Sequence, residues 1–117
     1  MSVLPSRNIC VLRYVLDHWA REKPNQVFSI FEDNETWTYQ ETRTRARQLG
    51  SALQTMGVEE GEHVVVWLPN SKECLEAYFA LGYIGAVFVP VNVAYRGDLL
   101  AHVIENSDAR LAIIHKN

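Results

Sequence analysis

The sequence predicts an α/β fold: a partial parallel sheet with a strand-helix-strand-helix-strand core, preceded by an N-terminal helix and a short β-hairpin. Residues 64–68, 86–89 and 111–114 are short apolar runs without alternation, which is how strands covered on both faces read. Each run is separated from the next by a stretch of helical periodicity with its own start and stop residues. Before residue 40 the pattern changes to β-favouring residues flanking Asp33-Asn34, a hairpin signal. Short links between alternating strands and helices imply parallel pairing with right-handed crossovers.

The first helix is expected to be capped by Asn8, to place Leu12, Val15, Leu16 and Trp19 on one face, and to end at Lys23 before Pro24. Residues 26–31 and 35–39 form the hairpin. Thr38-Tyr39-Gln40-Glu41 has capping-box spacing, so a second helix starts there. Its apolar stripe is read as Leu49, Ala52, Leu53 and Met56, with Gly57 as the left-handed stop. Arg43, Arg45 and Arg47 lie mainly off that stripe and are open to two readings, an anion site or a solvated face; the solvated face is expected.

Pro69-Asn70 ends the first core strand, and Asn70 with Glu73 reads as the cap of a helix running through Leu75, Tyr78, Phe79 and Leu81 to Gly85. Residues 86–89 then form a second buried strand ending at Pro90. After the loop Val91-Asn92-Val93-Ala94-Tyr95, Asp98 is the expected cap of a helix carrying Leu99, Leu100, Val103 and Ile104, closed by Asn106-Ser107. Residues 111–114 make the third buried strand. Trp37, Tyr39 and Trp67 have the character of pocket aromatics, but core packing is the expected use.

A chain of 117 residues holds one domain, read here as the helix and hairpin over residues 1–40 and the α/β unit over 41–117. The net charge of −3, from 11 basic and 14 acidic residues without long like-charged runs, leaves no electrostatic footprint for nucleic acid. Neither a GxGxxG nor a GxxxxGK[ST] phosphate loop is present, which excludes nucleotide binding by those two routes. His18, His63, His102 and His115 are scattered and predict surface or helix-face positions, with no metal site. Cys10 and Cys74 are distant in sequence and are expected to be structural thiols. The N-terminus lacks a signal-peptide core and no apolar run reaches membrane-spanning length, so a cytoplasmic location without a transmembrane segment is expected.

A helix N-terminus at the carboxyl end of a parallel strand is where α/β sheets place ligands, and Asn70 stands there; capping alone is the simpler reading. At this point the residues resemble a family. They are Thr38-Tyr39 and Glu41; Ala46, Leu49, Ala52 and Leu53; Gly57-Val58 and Gly61-Glu62-His63-Val64; Leu68-Pro69-Asn70-Ser71-Lys72-Glu73; Gly85-Ala86-Val87; Pro90-Val91-Asn92; Tyr95-Arg96-Gly97; and Asn106-Ser107-Asp108-Ala109. In this order and spacing the chain resembles the N-terminal segment of an adenylate-forming enzyme of the acyl-CoA synthetase type, the AMP-binding family of fatty acid or carnitine-type CoA ligases.

The resemblance implies ligase chemistry: a carboxylate is activated with ATP, assisted by magnesium, to an acyl-adenylate, and the acyl group passes to coenzyme A. The family's phosphate loop, magnesium-binding segment, ribose aspartate and adenylation lysine have no counterpart here. No catalytic or metal residue is therefore assigned, and the chain by itself is expected to be inactive. Some members contact the coenzyme A nucleotide with a basic residue two positions after the Asn of the Pro-x-Asn segment. That position is Ala94, a departure; Arg96, two residues further on, substitutes for it only where the loop bends suitably, and a solvent-exposed loop arginine is the expected reading. Three readings stay open: a fragment of a longer synthetase, a small α/β module binding a ligand or partner, or one piece of a split enzyme. The expected partner is the remainder of the enzyme chain, or a second copy through exposed sheet.

Overall fold

The computed structural model describes residues 12–114; the expected Asn8 cap, Cys10 and His115 lie outside these. The elements are α1 (Leu12–Glu22), β1 (Val27–Ile30), β2 (Thr36–Thr38), α2 (Tyr39–Thr55), β3 (His63–Trp67), α3 (Lys72–Ile84), β4 (Val87–Pro90), α4 (Gly97–Asn106) and β5 (Leu111–Ile114). β1 and β2 form the antiparallel hairpin. A separate parallel sheet has the order β4-β3-β5. The strand-helix-strand-helix-strand core with its preceding helix and hairpin is therefore present.

The hairpin turns where Asp33-Asn34 places it. Asn34 takes φ +66°, a left-handed conformation that asparagine tolerates, and the Glu35 amide donates to Asp33 Oδ1 at 3.0 Å. β2 passes directly into α2 through the capping box: the Glu41 amide donates to Thr38 Oγ1 at 3.1 Å, and the Thr38 amide donates to Glu41 Oε1 at 2.9 Å. The buried face of α2 differs from the expected stripe. Thr42, Ala46, Gly50 and Leu53 are buried, whereas Ala52 and Met56 are exposed. Small residues win because α2 packs closely on α3: a Cβ added at Gly50 would stand 3.0 Å from Ile84 Cγ2 and 3.3 Å from the Ala80 carbonyl.

The core lies between these two helices and one face of the sheet. Leu53, Val64, Val66, Ala77, Ala80 and Leu81 are buried together, with Phe88, Leu111 and Ile113 packed at the margin. The register puts Val64 beside Phe88 and Leu111, and Val66 beside Pro90 and Ile113, so these residues share that face. His63, Val65 and Trp67 therefore point to the opposite face. There α4 is the covering element: His63 Nδ1 lies 2.6 Å from the Ser107 carbonyl at the end of α4, and Leu100, Val103 and Ile104 are half-buried.

That cover is thin. α4 has no fully buried residue, and Leu99, Val87 and Ile114 are exposed. Strands β4 and β5 thus correct the expectation of burial on both faces: only β3, central in the sheet, has three consecutive buried residues. Two caps are also corrected. Ser71, not Asn70, caps α3, its Oγ accepting from the Cys74 amide at 3.2 Å. Arg96 occupies the cap position of α4 and Asp98 lies inside the first turn, with no side-chain cap bond. Among the described residues no helix is long and apolar enough to cross a membrane.

Candidate functional site

Two loops leave the carboxyl end of adjacent parallel strands, residues 68–71 after β3 and residues 91–96 after β4. This edge is where α/β sheets hold ligands, because each strand must turn outward there and the following helix presents free amides. Between the loops lies a cleft of about 370 Å³ lined by Val66, Leu68, Asn70, Cys74, Pro90 and Val91, among others. A second cleft of about 470 Å³ opens between the hairpin turn and the start of α3, with Ile30, Phe31, Asp33, Asn70, Lys72 and Leu75 on its walls. Asn70 lines both.

Because Ser71 takes over capping, Asn70 is left exposed and its side-chain amide has no hydrogen-bond partner among the described residues. Ser71 also fixes the loop backward, donating from Oγ to the Pro69 carbonyl at 2.9 Å. On the β4 side Asn92 shapes the turn: its Oδ1 accepts from the Ala94 amide at 2.8 Å, and its carbonyl accepts from Trp67 Nε1 at 2.9 Å. Arg96 lies on this loop. Its guanidinium sits 5.1 Å from the centre of the Trp67 ring and donates through one nitrogen to the Val93 carbonyl and, at 2.7 Å, to the Tyr95 carbonyl. Trp67 therefore serves the loop rather than the core, while Trp37 is the buried core aromatic.

A charge cluster in which only Lys72 belongs to a quoted motif ties the hairpin to this edge. Lys72 donates to Asp33 Oδ2 at 2.6 Å and to Glu35 Oε2, and Arg45 reaches Glu35 at 3.6 Å and Glu76 at 3.5 Å. The Lys72 hydrogen bond holds both the Asp33 and the Glu35 carboxyls below their ordinary range, and the same bonds, first that to Asp33, raise the Lys72 ammonium. Arg45 lies over the Trp37 ring at 4.6 Å, and Arg43 pairs with Asp17 of α1 at 2.6 Å. The expectation of a solvated arginine face holds only in part: Arg43 and Arg45 both bond across elements, although Arg45 stays exposed. Only neighbours distant in sequence reveal this, so spacing along α2 did not.

The arrangement is one of positioning. Burial pushes the Cys74 thiol up, so it stays protonated and un-nucleophilic. Among the described residues no three of His, Cys, Asp and Glu are grouped to hold a metal ion. His18 meets Trp19 edge-on, His102 lies 3.0 Å from the Asn106 amide, and His63 is half-buried on its strand rather than on a helix face. Backbone amides and exposed asparagines remain, groups that hold a ligand's edge and do not move its protons.

Comparison with known proteins places the chain in a family. The sequence pattern of the AMP-binding enzyme family matches residues 16–117. YngI of Bacillus subtilis (strain 168), provisionally named an acyl-CoA synthetase, is 35% identical over 101 residues, covering 86% of this chain and 18% of YngI. The solved structure of VinN with 3-methylaspartate superposes at a TM-score of 0.84 with 30% identity, covering 90% of this chain and 29% of VinN. NpsA-ThdA, an artificially fused adenylation-PCP di-domain NRPS from Klebsiella oxytoca, superposes at 0.82 with 27% identity over 89% of this chain and 20% of its own length. The chain thus spans about a fifth to under a third of these relatives. It belongs to the AMP-binding enzyme family, as an N-terminal portion of an adenylate-forming domain related both to acyl-CoA ligases and to NRPS adenylation domains.

Proposed function

We propose that this chain is the N-terminal segment of an ATP-dependent acyl-CoA synthetase, building the floor on which other parts of the enzyme convert a carboxylate to its acyl-adenylate and then to its coenzyme A thioester. The observation that supports this most is the coincidence of motif and place. Leu68-Pro69-Asn70-Ser71 and Pro90-Val91-Asn92, quoted for the resemblance, are the two loops that face each other across the cleft at the carboxyl end of the sheet. The first relative named above, YngI, carries the acyl-CoA synthetase name.

The residues present do not fit magnesium or the ATP phosphates, since the described residues group no ligand set and the sequence has no phosphate loop. No step of adenylation is assigned to them, and the chain alone is proposed to be non-catalytic. Coenzyme A is different. Arg96 has five N–H donors and uses one nitrogen on its own loop, so its other donors remain for a phosphate. We assign it as the coenzyme A contact of this segment. A second reading, the adenylation domain of an NRPS with a carrier-protein thiol as acceptor, is favoured by the likeness to NpsA-ThdA.

Grafting residues 16–117 in place of the matched segment of YngI tests both. The expected chimera forms a coenzyme A thioester, and Arg96→Ala raises KM for coenzyme A about tenfold while leaving acyl-adenylate formation unchanged. A folded chimera that adenylates a carboxylate but transfers only to a carrier protein overturns the coenzyme A reading in favour of the second.

A further inference from the structure

Two clefts run side by side along the outer flank of α2 and share Arg43. One, of about 500 Å³, lies against α1 and is lined by Asp17, Ala20, Arg21, Pro24, Gln40 and Arg43. The other, of about 490 Å³, continues along Thr44, Arg47, Gln48 and Ser51. Positions 40, 43, 44, 47, 48 and 51 follow three- and four-residue steps and so form one stripe, about 16 Å long at the helical rise. Every residue of that stripe is polar and its only charges are cationic.

The charges are unevenly satisfied. Arg43 is paired with Asp17, whose carboxylate also accepts from the Tyr83 hydroxyl. Arg21 and Arg47 are exposed, and neither makes an ion pair or hydrogen bond among the described residues. Asp17, the single acidic residue on either cleft wall, is held by Arg43 and Tyr83 and is also within electrostatic reach of Arg47, so the two walls carry three guanidiniums against one carboxylate on a chain of net charge −3.

We propose that this groove docks an acidic segment of a partner protein. Arg21 lines one cleft, Arg47 the next and Arg43 both, so the guanidiniums are distributed over two adjoining clefts, which suits a polymer of carboxylates better than a single anion. An extended segment of about five residues covers the stripe. Its carboxylates meet the forked donors of Arg21 and Arg47, while Gln40, Thr44, Gln48 and Ser51 serve its backbone. A nucleic acid fits less well, because no residue lining either cleft is aromatic and the chain as a whole is acidic.

The test is fluorescence anisotropy with a fluorescein-labelled hexaglutamate peptide and the full chain, at low salt and again at physiological salt. Saturable binding that weakens with salt is expected, and the double variant Arg21→Glu, Arg47→Glu should bind about tenfold more weakly or worse. Both positions are exposed, so the urea midpoint serves as the folding control. Arg110→Glu, an exposed charge reversal beside Glu62 and outside both clefts, should bind within about twofold of the parent. Absence of saturable binding by the parent, an equal loss in Arg110→Glu, or tighter binding of a single-stranded oligonucleotide of matching charge would each overturn the proposal.

Discussion

Single residues fix how the helices meet and end. Gly85 closes α3 at φ +73°, and a Cβ there would come within 2.9 Å of Glu60 Cγ. Gly85→Ala should therefore cost about 1–2 kcal/mol, the ordinary penalty for a left-handed alanine, read from urea unfolding. Asp17 is the other decisive residue. Burial works to raise its carboxyl, but the Tyr83 hydroxyl and the Arg43 guanidinium outweigh this and hold it below the usual range. A depressed folded value means stability that is present above the unfolded carboxylate range, about pH 4, and is lost as pH falls through the folded value. Asp17→Asn should flatten that acid limb, as followed by circular dichroism from neutral to acid pH. Tyr83 is raised by burial first and by its bond to Asp17 second, so its contribution is complete below about pH 10 and fades above it. Gly85 was legible in the sequence because a helix stop depends on local backbone preference. The Asp17–Tyr83–Arg43 cluster was not, because its members come from three helices.

At the scale of elements, the capping residues separate what local pattern decides from what packing decides. The Thr38–Glu41 box formed as its spacing required, since both partners lie within one turn. At α3 the same reasoning chose Asn70, yet the residue with extended backbone directly before the helix is Ser71, at φ −166° and ψ 171°. Ser71→Ala is expected to cost about 1 kcal/mol in urea unfolding, whereas Asn70→Ala should be nearly neutral. Equal losses at the two positions would contradict the assignment of the cap. The released Asn70 is also what makes this loop a candidate for ligand contact, so the miss at the element scale and the functional reading have one cause. Apolar runs correctly marked all three core strands, but they carry no information on strand order. That order leaves β4 and β5 at the edges, with exposed Val87 and Ile114.

For the whole molecule, the well-packed part is the slab between α2, α3 and the inner face of the sheet, and among the described residues the opposite face carries only α4. Parallel sheets are stable when both faces are covered, so the outer face and the free strand edges are surfaces for association. Light scattering on the purified chain should show a concentration-dependent rise in mass; a monomer at all concentrations would argue for an independent binding module. The parallel topology and the two loop motifs were readable from sequence, because helix and strand periods and the resemblance agree over the same residues. The charged groove along α2 was not, because its significance depends on which arginines find partners elsewhere.

The most direct test of the central claim, that this segment supplies a working floor for an adenylate-forming site, is carboxylate-dependent exchange of pyrophosphate into ATP. It should be measured on the chimera carrying residues 16–117 within YngI and on the isolated chain. Exchange by the chimera within about tenfold of intact YngI is expected, and none by the isolated chain. A chimera that unfolds cooperatively at the parental urea midpoint yet shows no exchange would contradict it, as would exchange catalysed by the isolated chain.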